Sequence, residues 1–257
     1  MMDLKYFEKE YKIHVYETGP DGKINLYSFF DFFQDMASEH AVRLGFGRDN
    51  LLKENHIWVL SRIYAVITEW PVWEDKIIIR TWHKGTDKLF GIRDFEVFYP
   101  DGRRIASAAS SWLIIDRETK KLQRPDKILT NPSGLYPVNA LPRNAAKLEK
   151  SSDGGVISPG FKVKISDLDI NLHTNNVRYL KWVTDTYDMD FSIKNVACSA
   201  EINYLAESVY DDEISIQTSA EKNDNNVYDH SIFRKNDNRE LCRIRLVWKE
   251  GKKPKVN

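Results

Sequence analysis

Apolar positions along this chain follow a helical period and then an alternating one, and the pair of periods occurs twice. Phe29, Phe32, Phe33, Met36 and His40 fall at helical spacing, with Ser28, Asp31, Gln34, Asp35 and Glu39 mostly on the opposite face. Alternation then predicts strands over 58–68, 76–82, 91–99 and 104–115, and Pro100-Asp101-Gly102 is a strong hairpin signal between the last two. In the second round Val177, Leu180, Val183 and Tyr187 predict a helix from Thr174 to about Tyr187, with Thr174 or Asn175 placed to cap it. Strands are predicted after it over 196–206, 213–220, 227–235 and 240–249, with Asn236-Asp237-Asn238 turning the last hairpin.

The repeat is visible residue by residue where Trp73-Glu74-Asp75-Lys76-Ile77-Ile78-Ile79 meets Tyr210-Asp211-Asp212-Glu213-Ile214-Ser215-Ile216, 137 residues on (211 minus 74). One long helix against a run of antiparallel strands, present in tandem, is an α+β arrangement. Residues 1–135 are expected to form the first domain and 161–257 the second. The linker expected over 136–160 carries Pro137, Pro142, Pro159 and Ser151-Ser152-Asp153-Gly154-Gly155, which favour neither helix nor strand. A basic, apolar-poor end from Gly251 to Asn257 is expected to fray.

A chain of 257 residues, 42% apolar and 12% aromatic, can fill a sizeable core. Lys plus Arg and Asp plus Glu are 38 each, so no global field recruits nucleic acid or an anionic membrane. Residues Met1 to Tyr11 lack the character of a signal or transit peptide, and no apolar run approaches the ~20 residues of a membrane span. A cytoplasmic location is expected. Cys198 and Cys242 fall in strand-like runs and fit neither a disulfide framework nor a metal site. No phosphate loop, zinc spacing or nucleotide fingerprint occurs, so no cofactor and no metal are implied.

The candidate chemistry lies in Asp169-Ile170-Asn171-Leu172-His173. If the segment is extended, Asp169, Asn171 and His173 share one face. His173 then stands just before a helix N-terminus, which favours a neutral imidazole and offers N–H groups to a developing oxyanion. The competing reading makes Asp and Asn turn and cap residues and His173 a surface histidine. The first helix opens with Lys23-Ile24-Asn25-Leu26-Tyr27-Ser28 and has no such constellation. His40 reads as a core histidine, and His14, His56, His83 and His230 lack a carboxylate and amide at matching spacing.

The duplicated helix-and-sheet plan, with Asp-x-Asn-x-His-x-Asn-Asn opening the second helix, resembles the acyl-acyl carrier protein thioesterases, which are double hot-dog proteins. The resemblance covers nearly the whole chain in layout and is densest from Asp169 to Trp182. It implies a tandem double hot-dog, each copy a central helix wrapped by an antiparallel sheet, with the first copy holding the acyl chain and the second catalytic. It also implies a catalytic glutamate at Glu207, 34 residues beyond His173 (207 minus 173). Plant members carry a cysteine after that glutamate; here Ser208 stands there. A thiolate mechanism is therefore not available at 208, and no Gly-x-Ser-x-Gly context activates the serine. Water is the favoured nucleophile, with Glu207 or Asp169 orienting His173 and Asn171 and helix amides holding the oxyanion. Direct attack by Asp169 through an acyl anhydride stays open.

The resemblance further implies an acidic acyl carrier protein as partner and fatty acyl chains as substrate. Phe32, Phe33 and Met36 are the candidate chain-binding residues, although an aromatic stripe is also plain core, and Asn175 and Asn176 join them at the helix start. Candidates for a carrier-facing basic patch are Arg103, Arg104, Lys120, Lys121, Arg124, Arg234, Lys235, Arg243 and Arg245. An acyl-CoA thioesterase and a non-catalytic acyl-binding module remain alternatives. A hydratase ranks lower, because its Asp and His stand five apart with an intervening Pro, whereas here they are four apart with Leu172. Chain length, saturation and branching are not legible, and the protein is expected as a monomer or homodimer.

Overall fold

The Phe-rich pattern folds as α1 (Leu26–Arg43), which buries Phe29, Phe30, Phe32, Phe33, Met36 and His40 on one side. Each such apolar side chain contributes about 1.5–3 kcal/mol on burial, so this face fixes the helix on its sheet. Ser28 was expected on the polar face but is buried, because its hydroxyl donates to the Glu17 carbonyl at 3.2 Å. This computed structural model describes residues 5–129, 134–150, 155–221 and 224–251. The chain divides into two compact units, Met1–Ala145 and Ala146–Asn257.

In unit 1, β1 (Phe7–Lys12) precedes α1, and a short α2 (Arg48–Lys53) follows it. Then come β2 (His56–Ile67), β3 (Lys76–Asp87), β4 (Phe90–Phe98), β5 (Arg104–Asp116), β6 (Leu122–Gln123) and α3 (Pro125–Ile128). The strands pair antiparallel in the order β1-β3-β4-β5-β2, with β6 on β5. The predicted hairpin turn closes through Gly102 N–H to the Tyr99 carbonyl at 2.9 Å, with Gly102 at φ 86°. Strand β3 runs five residues past its predicted end, carried through a bulge between His83 and Gly85.

Unit 2 repeats the plan with β7 (Val156–Ile157), β8 (Phe161–Lys162), α4 (Asn176–Thr184), α5 (Met189–Lys194), β9 (Asn195–Tyr204), β10 (Glu213–Glu221), β11 (Asp224–Arg234) and β12 (Arg239–Glu250). Its strands are antiparallel in the order β9-β12-β11-β10, and β7 and β8 both pair with β10. The helix expected to reach Tyr187 stops at Thr184. Thr184 and Thr186 hydroxyls donate back to the carbonyls of Lys181 and Val183 at 2.8 and 2.7 Å, and Asp188 caps α5 through Phe191 N–H at 2.7 Å. Such side-chain bonds compete with continued helix. Tyr187 is thereby released to meet His230 Nε2 at 2.9 Å.

The proline-rich connection lies against the sheets. Trp82 Nε1 donates to the Val138 carbonyl at 2.9 Å, Ala140 N–H to Asp94 at 2.9 Å, and Lys84 Nζ to Asn144 at 2.7 Å. On unit 2, Leu148 N–H donates to Asn203 Oδ1 at 2.8 Å and Arg243 to the Leu148 carbonyl at 2.8 Å. The boundary at Ala145/Ala146 falls inside the stretch read as linker. The Ser151 to Gly154 part of that stretch and the C-terminal tail from residue 252 lie outside the described residues. Among the described residues no helix is long and apolar enough to cross a membrane.

Candidate active site

The segment 168–174 is a tight turn, not the extended run expected. Leu168 and Thr174 bridge antiparallel, Asp169 N–H donates to the His173 carbonyl at 2.8 Å, and Leu172 N–H to the Asp169 carbonyl at 3.0 Å. Closing it puts Leu172 at φ 62°, in the left-handed region. The Asp169 carboxylate organises the turn: Oδ1 accepts from the N–H of Asn171 at 2.7 Å and of His173 at 3.3 Å, and Oδ2 from Asn171 Nδ2 at 3.4 Å. Period-two geometry therefore does not bring the three side chains onto one face. Asp169 meets His173 through the backbone, and its carboxylate bonds are those of a turn residue.

A second loop carries Glu207 to the imidazole. It is stitched to the turn by Thr174 N–H to the Ser208 carbonyl at 2.9 Å and by a bridge between His173 and Val209. Behind that seam Ser208 Oγ donates to Thr174 Oγ1 at 2.7 Å and lies 2.9 Å from the Tyr179 hydroxyl, with Ser208 fully buried. Burial pushes the Tyr179 hydroxyl far above its ordinary range, so it is a neutral partner. Arg234 braces the loop from outside, reaching the Glu207 carbonyl at 3.4 Å and Asp212 at 3.3 Å. The result sets His173 Nε2 3.5 Å from Glu207 Oε2, both side chains partly open to solvent. Catalytic contacts in an unliganded site are commonly this long and tighten on substrate.

At the helix start, Asn175 Oδ1 accepts from Val177 N–H at 2.9 Å, so Asn175 is the cap. Asn176 accepts the Tyr204 hydroxyl on its carbonyl at 3.1 Å, which ties the end of β9 to the helix. Phe32, Phe33 and Met36 are not at this turn. They are buried on α1, with Phe33 against Phe95 at 4.8 Å and Phe32 against Tyr11 at 4.6 Å between ring centres. In unit 2 a mostly apolar cavity of about 620 Å³ opens at the other end of α4, between Trp182, Tyr187, Thr218 and Tyr228.

Unit 1 holds the same turn with other side chains. Gly19 N–H donates to the Lys23 carbonyl at 2.8 Å, Gly22 N–H to the Gly19 carbonyl at 2.9 Å, and Ile24 N–H to the Pro71 carbonyl at 2.9 Å. Lys23 bridges Val72 as His173 bridges Val209. Gly19, Asp21, Lys23 and Trp70 thus occupy the places of Asp169, Asn171, His173 and Glu207, and Lys23 pairs with Asp21 at 2.7 Å. Tyr179 was not singled out from the sequence, and Thr174, Ser208 and Arg234 were considered there only as cap, nucleophile and carrier-facing candidates, not as braces; aligning 13–25 with 163–175 would have exposed the shared turn.

Most of the basic residues considered for a carrier-facing patch are locally neutralised. Arg103 pairs with Glu69 and Asp101, Arg104 with Glu96, Arg124 with Asp126, and Arg234 with Asp212 and Asp237. Lys235 pairs with Glu213, Arg243 with Glu240, and Arg245 with Asp229 and Glu221. Lys120 and Lys121 alone of the set have no carboxylate partner among the described residues. Both cysteines are free, and burial raises each thiol above its ordinary pKa, so neither supplies a thiolate. Among the described residues no group of three or more His, Cys, Asp or Glu is arranged to hold a metal.

Residues 4–131 match the family described as the acyl-ACP thioesterase N-terminal domain, and residues 151–250 match the acyl-ACP thioesterase C-terminal domain. The chain is 26% identical over 268 residues to a chloroplastic palmitoyl-acyl carrier protein thioesterase of Gossypium hirsutum, covering 97% of this chain and 65% of that protein. A chloroplastic oleoyl-acyl carrier protein thioesterase of Arabidopsis thaliana is 26% identical over 239 residues, covering 86% of this chain and 65% of that one. The chain thus spans a little under two thirds of the length of these relatives. In fold it is similar to the 12:0-ACP thioesterase from Umbellularia californica, with a TM-score of 0.87 at 23% identity over 98% of this chain and 99% of that one. An acyl-ACP thioesterase from Bacteroides thetaiotaomicron gives a TM-score of 0.83 at 24% identity over 95% and 98%.

Proposed function

Because the chain belongs to the acyl-ACP thioesterase family, matched in order through both of its domains, we propose that it hydrolyses the thioester of a fatty acyl-acyl carrier protein to free fatty acid and carrier protein. Each unit is read as one hot-dog, a helix wrapped by an antiparallel sheet, so that the whole is a tandem double hot-dog. The first holds the acyl chain and the second does the chemistry. The observation that carries the mechanism is the approach of His173 Nε2 to Glu207 Oε2 at 3.5 Å, a pair that the equivalent turn of unit 1 replaces with Lys23 and Trp70.

Water is the nucleophile. The His173–Glu207 pair takes one of its protons as the oxygen attacks the thioester carbonyl, giving a tetrahedral oxyanion. Collapse breaks the C–S bond, and the proton held by the pair returns to the departing sulfur. Asn171, whose side chain makes only a long bond of 3.4 Å to Asp169, is free to donate to the oxyanion. Asp169 positions the site by holding the turn that aims His173. Ser208 has no base beside it: its oxygen is buried between a threonine and a neutral tyrosine.

Release of free thiol from matched acyl carrier and acyl-CoA thioesters tests the reading. Turnover of the carrier thioester that is lost in His173→Ala supports it, and undiminished turnover in that variant overturns it. A single turnover in heavy-oxygen water should label the fatty acid alone, whereas label in the Asp169 carboxylate would replace water attack by an anhydride route. The relatives are named for palmitoyl, oleoyl and 12:0 chains, so the chain preferred here is a separate question.

A further inference from the structure

At one place in their interiors the two units carry the same network with a different charge. In unit 2, His230 on β11 lies 2.9 Å through Nδ1 from Thr218 Oγ1 and 2.9 Å through Nε2 from the Tyr187 hydroxyl. Burial drives its pKa down to about 3, so the ring is neutral. The 137-residue repeat puts Thr81 and Arg93 at the corresponding positions of unit 1. There Arg93 Nη1 lies 2.9 Å from His40 Nδ1 and 3.2 Å from Thr81 Oγ1, and the residue is only 5% exposed.

Arginine is a demanding choice at such a site. Its guanidinium carries five N–H donors in a rigid fork that matches paired oxygen acceptors. Nη1 makes both of the hydrogen bonds, so Nε and Nη2 have no partner among the described residues, and no carboxylate pairs with the group. Asp94, its neighbour on β4, points through the other face to Lys84 at 3.0 Å and Ala140 N–H at 2.9 Å. Facing Arg93 across the sheet are His83 and Ser110, neither of them anionic. A buried charge without a counter-charge is strongly unfavourable. Unit 2 builds the same network with a neutral ring, so the fold itself does not require the cation.

We propose that unit 1 contains a subsite for an oxygen-bearing acyl chain, a hydroxyl or carboxylate away from the thioester accepting hydrogen bonds from the free edge of Arg93, while His40 and Thr81 hold the fork. The proposal rests on the reading that unit 1 takes the acyl chain. A methyl-ended chain gives that edge nothing to donate to.

Carrier thioesters of one chain length ending in methyl, hydroxyl and carboxylate form the test set, with Arg93→His as the variant because the other unit already accepts histidine there. At least tenfold higher kcat/KM for one oxygenated chain over the methyl-ended one, reduced to near unity in Arg93→His, is the expected result. Equal or better turnover of the methyl-ended chain by the unaltered protein, or a preference that survives Arg93→His, overturns the proposal. Binding is read separately in His173→Ala, where free hydroxy and dicarboxylic acids should raise the melting temperature more than the plain fatty acid does. Should Arg93→His fail to fold, Thr81→Val, which removes one of the two anchors of the fork, should lower the preference several-fold; an unchanged preference counts against the subsite. Hydrolysis of the methyl-ended thioester tests the parent reading by itself.

Discussion

Replacing Ser208 by alanine separates two mechanisms at one atom. Ser208 Oγ is fully buried, donates to Thr174 Oγ1 at 2.7 Å and lies 2.9 Å from the Tyr179 hydroxyl. Its loss deprives both neighbours of a partner where no bulk water replaces it, and leaving a buried polar group unsatisfied costs about 1–3 kcal/mol. At roughly 2–4 °C per kcal/mol for a chain of this size, Ser208→Ala should melt roughly 2–12 °C below the unaltered protein. With water as nucleophile, kcat measured below that transition should stay within a few-fold. Were Ser208 the nucleophile, its removal would cost on the order of 10⁴ to 10⁶ in kcat. A fall beyond a thousandfold in Ser208→Ala, with circular dichroism and melting otherwise as expected, would refute water attack in favour of an acyl-serine.

Glu207→Gln keeps the shape beside His173 but cannot take a proton, so kcat should fall by about 10²–10⁴ with KM nearly unchanged; equal activity would dismiss Glu207 from the chemistry. Burial depresses His83 to about 4, with the Arg93 charge adding to the effect, and His230 to about 3. Both rings are neutral when folded and bind protons near pH 6.5 when unfolded, so stability should drop as pH falls from 6.5 towards 4, by about 1.4 kcal/mol per unit per ring. Denaturant melts at pH 7, 5.5 and 4.5 should show this, and His230→Gln should flatten the slope. Leu172 is 72% exposed at φ 62°, so Leu172→Gly should be nearly neutral in melting temperature, whereas Leu172→Ile should cost about 1–2 kcal/mol and lower kcat by misplacing His173. Lys120→Glu with Lys121→Glu should raise KM for the carrier substrate at low salt and spare a small soluble thioester; equal KM values would move carrier docking elsewhere.

What was legible in the sequence is what local periodicity controls. The eight strands predicted fall within a few residues of their spans, apart from the longer β3, because alternation reports burial along a single strand, whereas β1 and the two-residue β6, β7 and β8 were not anticipated. The end of α4 was not legible, since Thr184, Thr186 and Asp188 decide it by side-chain bonds to nearby backbone groups, which apolar spacing does not encode. Arg93 was invisible for a related reason: a buried cation inside a strand has no periodic signature, and its role emerges only when His40 and Thr81 arrive from other elements.

The turn at Asp169 shows how a motif can be legible while its geometry is misread. Reading it as extended required Leu172 to adopt strand dihedrals, yet the chain closes there with φ 62°, and the first unit closes the same turn with Gly22 at φ 73°. Glycine in one copy is the sequence signal that leucine in the other must be left-handed. The matched backbone bonds then isolate the chemistry. With the turn, the bridge and the seam alike in both units, the difference between a candidate active site and its silent counterpart lies in His173 for Lys23, Glu207 for Trp70 and Asp169 for Gly19. Lys23, already neutralised by Asp21 at 2.7 Å, cannot stand in for an imidazole that takes up and returns a proton. On the proposed mechanism, unit 1 therefore lacks the side chains for the chemistry while keeping the helix and sheet of the shared plan.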